Sequence, residues 1–299
     1  MIKSFADLER SLKSNVKTAR IAVVCAHEEH TLEAVIKAMK EGLVTPILIG
    51  NKSKIEEILN SFAVNLNLVT IINETDEPLA AQKAVDLVKN NQADFIMKGL
   101  IQTKNLLKAV VNKEHGLGTG SVMSHMAFNE VPNYHKLLVT TDGGMVMYPN
   151  LEQKRAVLEN AVKVFNKLGY EKPNVAVLAA VEKVNPKMPE TVDAAELKRL
   201  NQEGIIKNCI VEGPISYDLS LNKESAEIKN YHSEVTGEVD IFLVPNITVG
   251  NILGKSLIYS AKAKMAGLIV GAKVPIILTS RGATVEEKYL SIVLAVAVS

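Results

Sequence analysis

Short apolar runs alternate with stretches of helical period along almost the whole of the 299-residue chain. Strands are expected at RIAVVCA (20–26), TPILIG (45–50), NLVTII (67–72), ADFIMK (93–98), VMSHMAF (122–128) and KLLVTT (136–141). Further ones follow at NVAVLAA (174–180), IKNCIV (206–211), DIFLVP (240–245), LIVG (268–271) and PIILTS (275–280). Each run is short and aliphatic, the pattern of a strand buried on both faces. Segments such as TLEAVIKAMKEG and EQKRAVLENAVKVFNKLG repeat apolar residues at spacings of three and four, the period of a helix with one covered face. Gly42 and Gly169 stand where helix C-caps belong. Repeated βα units require crossover helices, so the chain reads as α/β, with mostly parallel sheets and helices on both faces.

One segment breaks the rhythm. VMSHMAF and KLLVTT are separated only by NEVPNYH, too short for a crossover helix, so they are expected to form an antiparallel hairpin. The change of pattern near residue 137 suggests a domain boundary. An alternating chain of this kind, with no loose linker, is expected to form two lobes facing a cleft, with its chemistry at the carboxyl ends of strands.

Composition narrows the classes. Hydrophobic residues make up 47% of the chain and aromatic ones 4%, with no Trp, so the cores are aliphatic. The 34 Lys and Arg against 33 Asp and Glu leave a formal net charge of +1, which argues against a nucleic-acid partner. Cys25 and Cys209 both lie in apolar runs and read as buried, inert thiols. The N-terminal MIKSFADLERSLKS has no apolar core of a signal peptide, and Lys273 and Pro275 interrupt MAGLIVGAKVPIILT, so no membrane is implied and a cytoplasmic protein is expected.

Three motifs promise more than their context supports. His27-Glu28-Glu29-His30 lacks the His-Glu-x-x-His spacing of a zinc helix and reads as a helix start, with no metal. Gly116-Leu117-Gly118-Thr119-Gly120-Ser121 follows a helix rather than a strand, which is the wrong setting for a dinucleotide loop. Gly250 to Ser256, GNILGKS, is one residue short of a Walker phosphate loop.

Four strand-to-helix junctions concentrate polar groups. They are Lys98-Gly99 through Thr103; Thr141-Asp142-Gly143-Gly144 with Asn150 beyond; Asn246 through Gly250-Asn251 with Lys255 one turn on; and Thr279-Ser280-Arg281-Gly282 ending at Glu286-Glu287. A glycine after a strand admits a ligand to the backbone, and a helix N-terminus favours an anion. Together these junctions supply hydroxyls, amides and cations suited to an anionic ligand.

On these residues the chain resembles the phosphate acetyl/butyryltransferase family over nearly its full length. Leu-Thr-Ser-Arg-Gly (278–282), Pro-Asn-Ile-Thr-Val-Gly-Asn (245–251), Gly-Pro-Ile-Ser-Tyr-Asp (213–218) and Thr-Asp-Gly-Gly followed by Pro-Asn-Leu-Glu-Gln are similar to family segments, in family order. Ser124-His125 and Lys98-Gly99-Leu100 are more like the butyryl branch. The resemblance implies two α/β domains of the isocitrate-dehydrogenase-like type with an interdomain cleft, residues 1–136 with 271–299 and residues 137–270, assembled as a homodimer or a higher homo-oligomer. It implies reversible exchange of CoA and phosphate on a short acyl group, with acyl-CoA, phosphate and acyl phosphate as substrates and no cofactor.

Both acyl donors are already activated, so positioning thiol and carbonyl is the main task, worth roughly 7–11 kcal/mol in well-oriented cases. Arg281 offers a planar fork of donors to phosphate. Ser280 is placed to donate to the developing oxyanion. The resemblance puts the carboxylate that takes the CoA proton at Glu287. The same stretch, Thr284-Val285-Glu286-Glu287, also reads as a capping box, which would hold the carboxylate charged and weaken it as a base; both readings stand at this point. By the same likeness Lys255 meets the CoA phosphates, while Lys98, Gly99, Thr141, Asp142, Asn150, Asn246, Gly250 and Asn251 shape the substrate site. Two other functions fit such a fold: a metal- and NAD-dependent decarboxylating dehydrogenase, and a non-catalytic sensor of acyl-CoA or acyl phosphate.

Overall fold

A computed structural model describes residues 2–13, 18–280 and 282–299. The chain divides into two compact units. One is Phe5–Ser121 with Ala266–Ser299, and the other is Val122–Met265 with the N-terminal residues up to Ser4.

The first unit begins with α1 (Phe5–Lys13), β1 (Ala19–Val24), α2 (Glu29–Lys40), β2 (Val44–Gly50), α3 (Lys52–Ser61), β3 (Thr70–Asn73), α4 (Glu77–Lys89), β4 (Phe95–Lys98) and α5 (Thr103–Val110). Each of α2, α3 and α4 starts on a side chain that accepts a backbone N–H of its first turn: Glu28 from Thr31, Asn51 from Lys54, Asp76 from Leu79. β1 pairs in parallel with β2 and β4, and β2 with β3. Ile21, Val23, Leu48, Ile49 and Ile96 are fully buried, as expected of strands covered on both faces. The run NLVTII is strand only in its second half, because Asn65 caps a single tight helical turn over Leu66–Leu68.

The second unit contains β5 (Ser124–Glu130), β6 (Leu138–Thr141), α6 (Leu151–Lys167), β7 (Asn174–Leu178), α7 (Pro189–Gln202), β8 (Ile210–Ile215), α8 (Tyr217–Leu221), α9 (Lys223–Ile228), β9 (Ile241–Leu243) and α10 (Ile247–Tyr259). Its sheet runs β5-β6-β9-β7-β8, parallel except for the antiparallel β5–β6 ladder, in which Ala127 faces Thr140. Both strands of that hairpin lie in this unit, since the chain crosses between Ser121 and Val122; the expected crossing lay inside the hairpin, after residue 136. β8 starts later than its apolar run suggested. Ile206 bonds back to Leu200 at the end of α7, and Asn208 takes a positive φ of 59°, so the chain turns before the strand can begin. Pro214 is tolerated because β8 is an edge strand with no ladder partner for the missing N–H.

The amino ends of β6, β7 and β9 are pinned by one buried ion pair. Lys136 Nζ lies 2.7 Å from Asp240 Oδ1 and 2.8 Å from the Glu238 carbonyl, with the two side chains only 5% and 4% exposed. Asp240 Oδ2 accepts the Asn174 backbone N–H at 2.7 Å, so three strand starts share one carboxylate. Above it, Leu138, Ala176, Leu178, Ile215, Phe242 and Val244 form a continuous hydrophobic core.

The chain then returns to the first unit through β10 (Lys264–Val270), β11 (Ile276–Ile277) and α11 (Val285–Val298). β11 adds in parallel to β4, while β10 and β11 form an antiparallel pair with Ile269 opposite Ile276. α11 packs on α1 and α2 and is buried along most of its length. No helix among the described residues is long and apolar enough to cross a membrane.

Removing one partner of a buried pair strands the other charge, so Asp240→Ala is expected to cost about 3–5 kcal/mol. Urea denaturation measures this directly, and a loss below about 1 kcal/mol would show that the pair does not hold the strand starts together.

Candidate active site

In the second unit the polar junctions gather at the carboxyl end of β6 and the start of α10. Thr141 is fully buried, and its hydroxyl donates to the His125 carbonyl at 2.8 Å. Asp142 is turned inward as well. Its Oδ1 accepts the N–H groups of Gly144 (2.6 Å) and Met145 (2.7 Å), and its Oδ2 those of His125 (2.8 Å) and Val146 (3.3 Å). Four backbone donors therefore converge on one carboxylate and fold residues 142–146 into a fixed loop. Asn246 caps α10 by accepting from Val249 at 3.1 Å. Asn150 and Gln153 form a reciprocal capping box at the start of α6. Each of these four side chains, Thr141, Asp142, Asn150 and Asn246, builds local backbone.

Glycines bring the loop onto the helix. A Cβ built on Gly250 would lie 2.7 Å from Gly143 Cα and 2.9 Å from the Asp142 carbonyl oxygen; one on Gly143 would meet Gly250 C at 2.8 Å. No other residue permits this approach. Asn251 leans across the contact, with Nδ2 3.4 Å from the Gly143 carbonyl oxygen. Lys255 stands exposed farther along α10, without an ion pair among the described residues.

In the first unit Gly99 sits directly on the end of β1. A Cβ there would lie 2.4 Å from the Cys25 carbonyl oxygen, while the Gly99 and Leu100 N–H groups donate to Val24 and Cys25. Lys98 is buried at the end of β4, its Nζ 3.2 Å from the Gly99 carbonyl oxygen. Glu77 braces the next turn by accepting from Gln102 N (3.1 Å) and Asn105 Nδ2 (2.7 Å). Ser280 is exposed at the start of the turn into α11, its Oγ 3.4 Å from the Gly282 backbone nitrogen. Arg281 lies outside the described residues.

Thr284 caps α11 by accepting the Glu287 N–H at 3.1 Å. Only half of the expected capping box forms, because the Glu287 carboxyl does not return a hydrogen bond to the Thr284 N–H. That carboxyl is half-buried, and desolvation raises its pKa, with Lys288 opposing. The carboxylate paired with Lys288 has the opposite fate. Burial would raise Glu28 too, but the Thr31 hydroxyl and Lys288 outweigh it, and its pKa falls below the ordinary range. Lys288 is buried, with Nζ 3.3 Å from Glu28 and 3.1 Å from the Thr31 hydroxyl, so it ties α11 to the start of α2.

The sequence matches the family model described as Phosphate acetyl/butaryl transferase over residues 8–84 and 78–296. It is 43% identical to the phosphate butyryltransferase of Clostridium acetobutylicum over 299 residues, covering 100% of this chain and 99% of that protein. The phosphate acetyltransferase of Thermotoga maritima is 41% identical over 93% of this chain and 95% of that one. This chain belongs to the phosphate acetyl/butyryltransferase family. Among solved structures, a branched-chain phosphotransacylase from Enterococcus faecalis V583 superposes with a TM-score of 0.83 at 35% identity, covering 94% of this chain and 98% of that one.

Within this phosphate acetyl/butyryltransferase chain, the three misleading motifs all have structural uses. Glu28 spends its carboxylate on the α2 cap. GNILGKS lies inside α10, where the N–H groups needed to wrap a phosphate are committed to the helix. The Gly116 turn follows α5, and Thr119 Oγ1 bonds to the Gly271 carbonyl. Reading by motif passed over Glu77, beside the polar junctions, and named His125 only within the Ser124-His125 likeness, without a role. Glu77 carried no signal, since it reads as an ordinary first-turn acid of α4. The placement of His125 was legible only through the hairpin register, which continues from Ala127–Thr140 to set it beside Asp142.

The two glycines of α10 give a paired test. Gly250→Ala forces the loop off the helix and should destabilise the protein by about 1–3 kcal/mol or more. Gly254 has open space where a Cβ would stand, with nothing within 4 Å, so substitution by Ala should gain about 0.4–1 kcal/mol. Thermal unfolding of both variants measures the difference, and equal shifts of one sign would contradict the packing described.

Proposed function

We propose that this chain is a phosphate acyltransferase of butyryl type, converting a short-chain acyl-CoA and phosphate to acyl phosphate and CoA, reversibly and without metal or redox cofactor. Its relatives' names support the reading, and the state of Glu287 carries it: a carboxyl at the signature Ser-Arg turn that is excused from helix capping and made more basic by burial. On this reading phosphate attacks the thioester carbonyl, and the C–S bond breaks as CoA leaves. In the reverse direction the CoA sulfur attacks the acyl phosphate carbonyl, its proton passes to Glu287, and the C–O bond to phosphate breaks. A raised pKa suits a base that must accept a thiol proton near neutrality. Arg281 holds phosphate oxygens, Ser280 donates to the oxyanion, and Lys255 meets the phosphates of CoA. The isocitrate-dehydrogenase-like architecture, a homodimer and a cytoplasmic setting belong to the same proposal.

Purified protein is mixed with butyryl-CoA and phosphate, and thiol release is followed with a chromogenic reagent. Acetyl-CoA and a branched acyl-CoA complete the panel, with Arg281→Ala and an EDTA arm as controls. The protein's own thiols stay silent, since burial pushes Cys25 up to about 11 and Cys209 to about 12. Phosphate-dependent release, insensitive to EDTA and lost in Arg281→Ala, is expected. CoA binding with no turnover would instead favour a sensor.

Glu287 sets a pH signature. In the CoA-acylating direction the rate should fall as pH drops through its raised pKa, so the acid limb lies above the ordinary carboxylate range and vanishes in Glu287→Gln. Stability carries the complementary sign. The folded protein ionises this carboxyl less readily than the unfolded chain, so its contribution is fully present below the unfolded pKa and is lost as pH rises through the folded one. Glu287→Gln should therefore hold its melting temperature over that window where the parent declines. An unchanged acid limb in the variant would remove Glu287 from the base role.

A further inference from the structure

One half-buried side chain that the scheme above does not use is His125. It stands at the start of β5, and because that strand runs antiparallel to β6, it alone brings its amino end to the carboxyl edge of this unit's sheet. Its position is fixed on every side. The His125 N–H donates to Asp142 Oδ2 at 2.8 Å and its carbonyl accepts the Thr141 hydroxyl at 2.8 Å. One face of α6 secures the preceding residues, with Asn160 Nδ2 2.7 Å from the Val122 carbonyl oxygen and 3.2 Å from Ser124 Oγ. The imidazole packs against the loop that Asp142 organises: a Cβ on Gly144 would come within 3.0 Å of His125 Cγ and 3.2 Å of Nδ1.

The ring is asymmetric. Nδ1 is wholly buried and has no hydrogen-bond partner among the described residues, while the residue as a whole is only half-buried. A buried N–H without an acceptor is costlier than a buried lone pair without a donor. The proton of the neutral ring therefore belongs on Nε2, leaving Nδ1 as the unpaired acceptor. Burial also lowers the pKa of the imidazole, with the Asp142 carboxylate acting in the opposite sense. The result is a rigid, uncharged N–H donor at the strand end, against Gly144 of the loop that Asp142 organises.

We infer that His125 donates its Nε2–H hydrogen bond to the carbonyl oxygen of the bound acyl group. This rests on the acyltransferase reading and adds a contact to it. Phosphate is a dianion and calls for cationic partners, whereas a neutral donor matches a carbonyl oxygen that is uncharged in the ground state and gains charge only as the carbonyl is attacked. A preorganised donor of this kind needs no reorganisation during the reaction.

Steady-state rates with butyryl-CoA and phosphate are compared for the parent, His125→Leu and His125→Gln, each checked for fold by circular dichroism and melting temperature. Loss of a donor to a developing oxyanion reduces kcat by about a hundredfold or more, so His125→Leu should fall by that factor with little change in KM for phosphate. Gln places an amide N–H near the Nε2 position and should recover a large part of the loss, which a packing role would not predict. A second measurement does not depend on the variants. Nitrogen NMR of histidine-labelled parent protein should show the Nε2–H tautomer, and butyryl-CoA without phosphate should shift the Nε2 resonance. His125→Leu within twofold of the parent, Gln no better than Leu in folded variants, or the opposite tautomer unmoved by butyryl-CoA would each overturn the inference. Absence of phosphate-dependent CoA release in the parent would instead overturn the acyltransferase reading on which it stands.

Discussion

Gly143 resting on Gly250 is the contact on which the polar edge of the second unit depends. Two backbones meet there at a distance that no side chain allows, and the loop after β6 is thereby seated on the first turns of α10. The contact itself is weak dispersion between small groups. What makes it specific is the Asp142 carboxylate, which draws in the N–H groups of Gly144, Met145, Val146 and His125 and leaves the loop one shape to adopt. Glycine gives access and the carboxylate gives definition, each ineffective without the other. Because His125 is bonded to the same carboxylate and its ring lies on Gly144, strand, loop and helix form one connected polar edge.

The first unit solves a similar problem with different parts. Gly99 lies on the Cys25 carbonyl, so the ends of β1 and β4 touch through backbone alone, and Glu77 holds the turn that follows. The end of α11 nearest the signature turn is anchored by Lys288, which pairs with Glu28 at the start of α2. That arrangement separates two carboxyls that both feel the charge of Lys288. Glu28 receives a hydroxyl and a cation and stays readily ionised, while Glu287 receives neither hydrogen bond and is pushed upward by burial. Differences of environment of this kind are how proteins assign acid–base roles to identical side chains.

The carboxyl edges of both sheets are rich in polar groups, whereas the amino edge of the second sheet is closed by the Lys136–Asp240 pair with Asn174. Its geometry suits buried charge: the partners are at hydrogen-bond distance, and each makes a further hydrogen bond, Lys136 to the Glu238 carbonyl and Asp240 to the Asn174 N–H. The unit is thus closed by an ion pair at one end and lined with polar groups at the other.

The sequence by itself determined the α/β class, eleven strand positions to within a few residues, the antiparallel hairpin and the family, because hydrophobic period, turn residues and short motifs are local properties that no distant contact has to supply. It misplaced the start of β8, where a bond from Ile206 back to α7 overrides the apolar run. It named Thr141, Asp142, Asn150 and Asn246 as substrate-site candidates but could not decide that each is spent on local backbone, since a side chain's partners depend on what lies opposite it. Two matters were decided only by tertiary structure. Whether Glu287 completes a capping box or stands free is a choice between a local bond and burial, and burial depends on how α11 packs. The orientation of His125 depends on a strand register and on a glycine in the loop beyond the next strand, and proximity of that kind is created by folding.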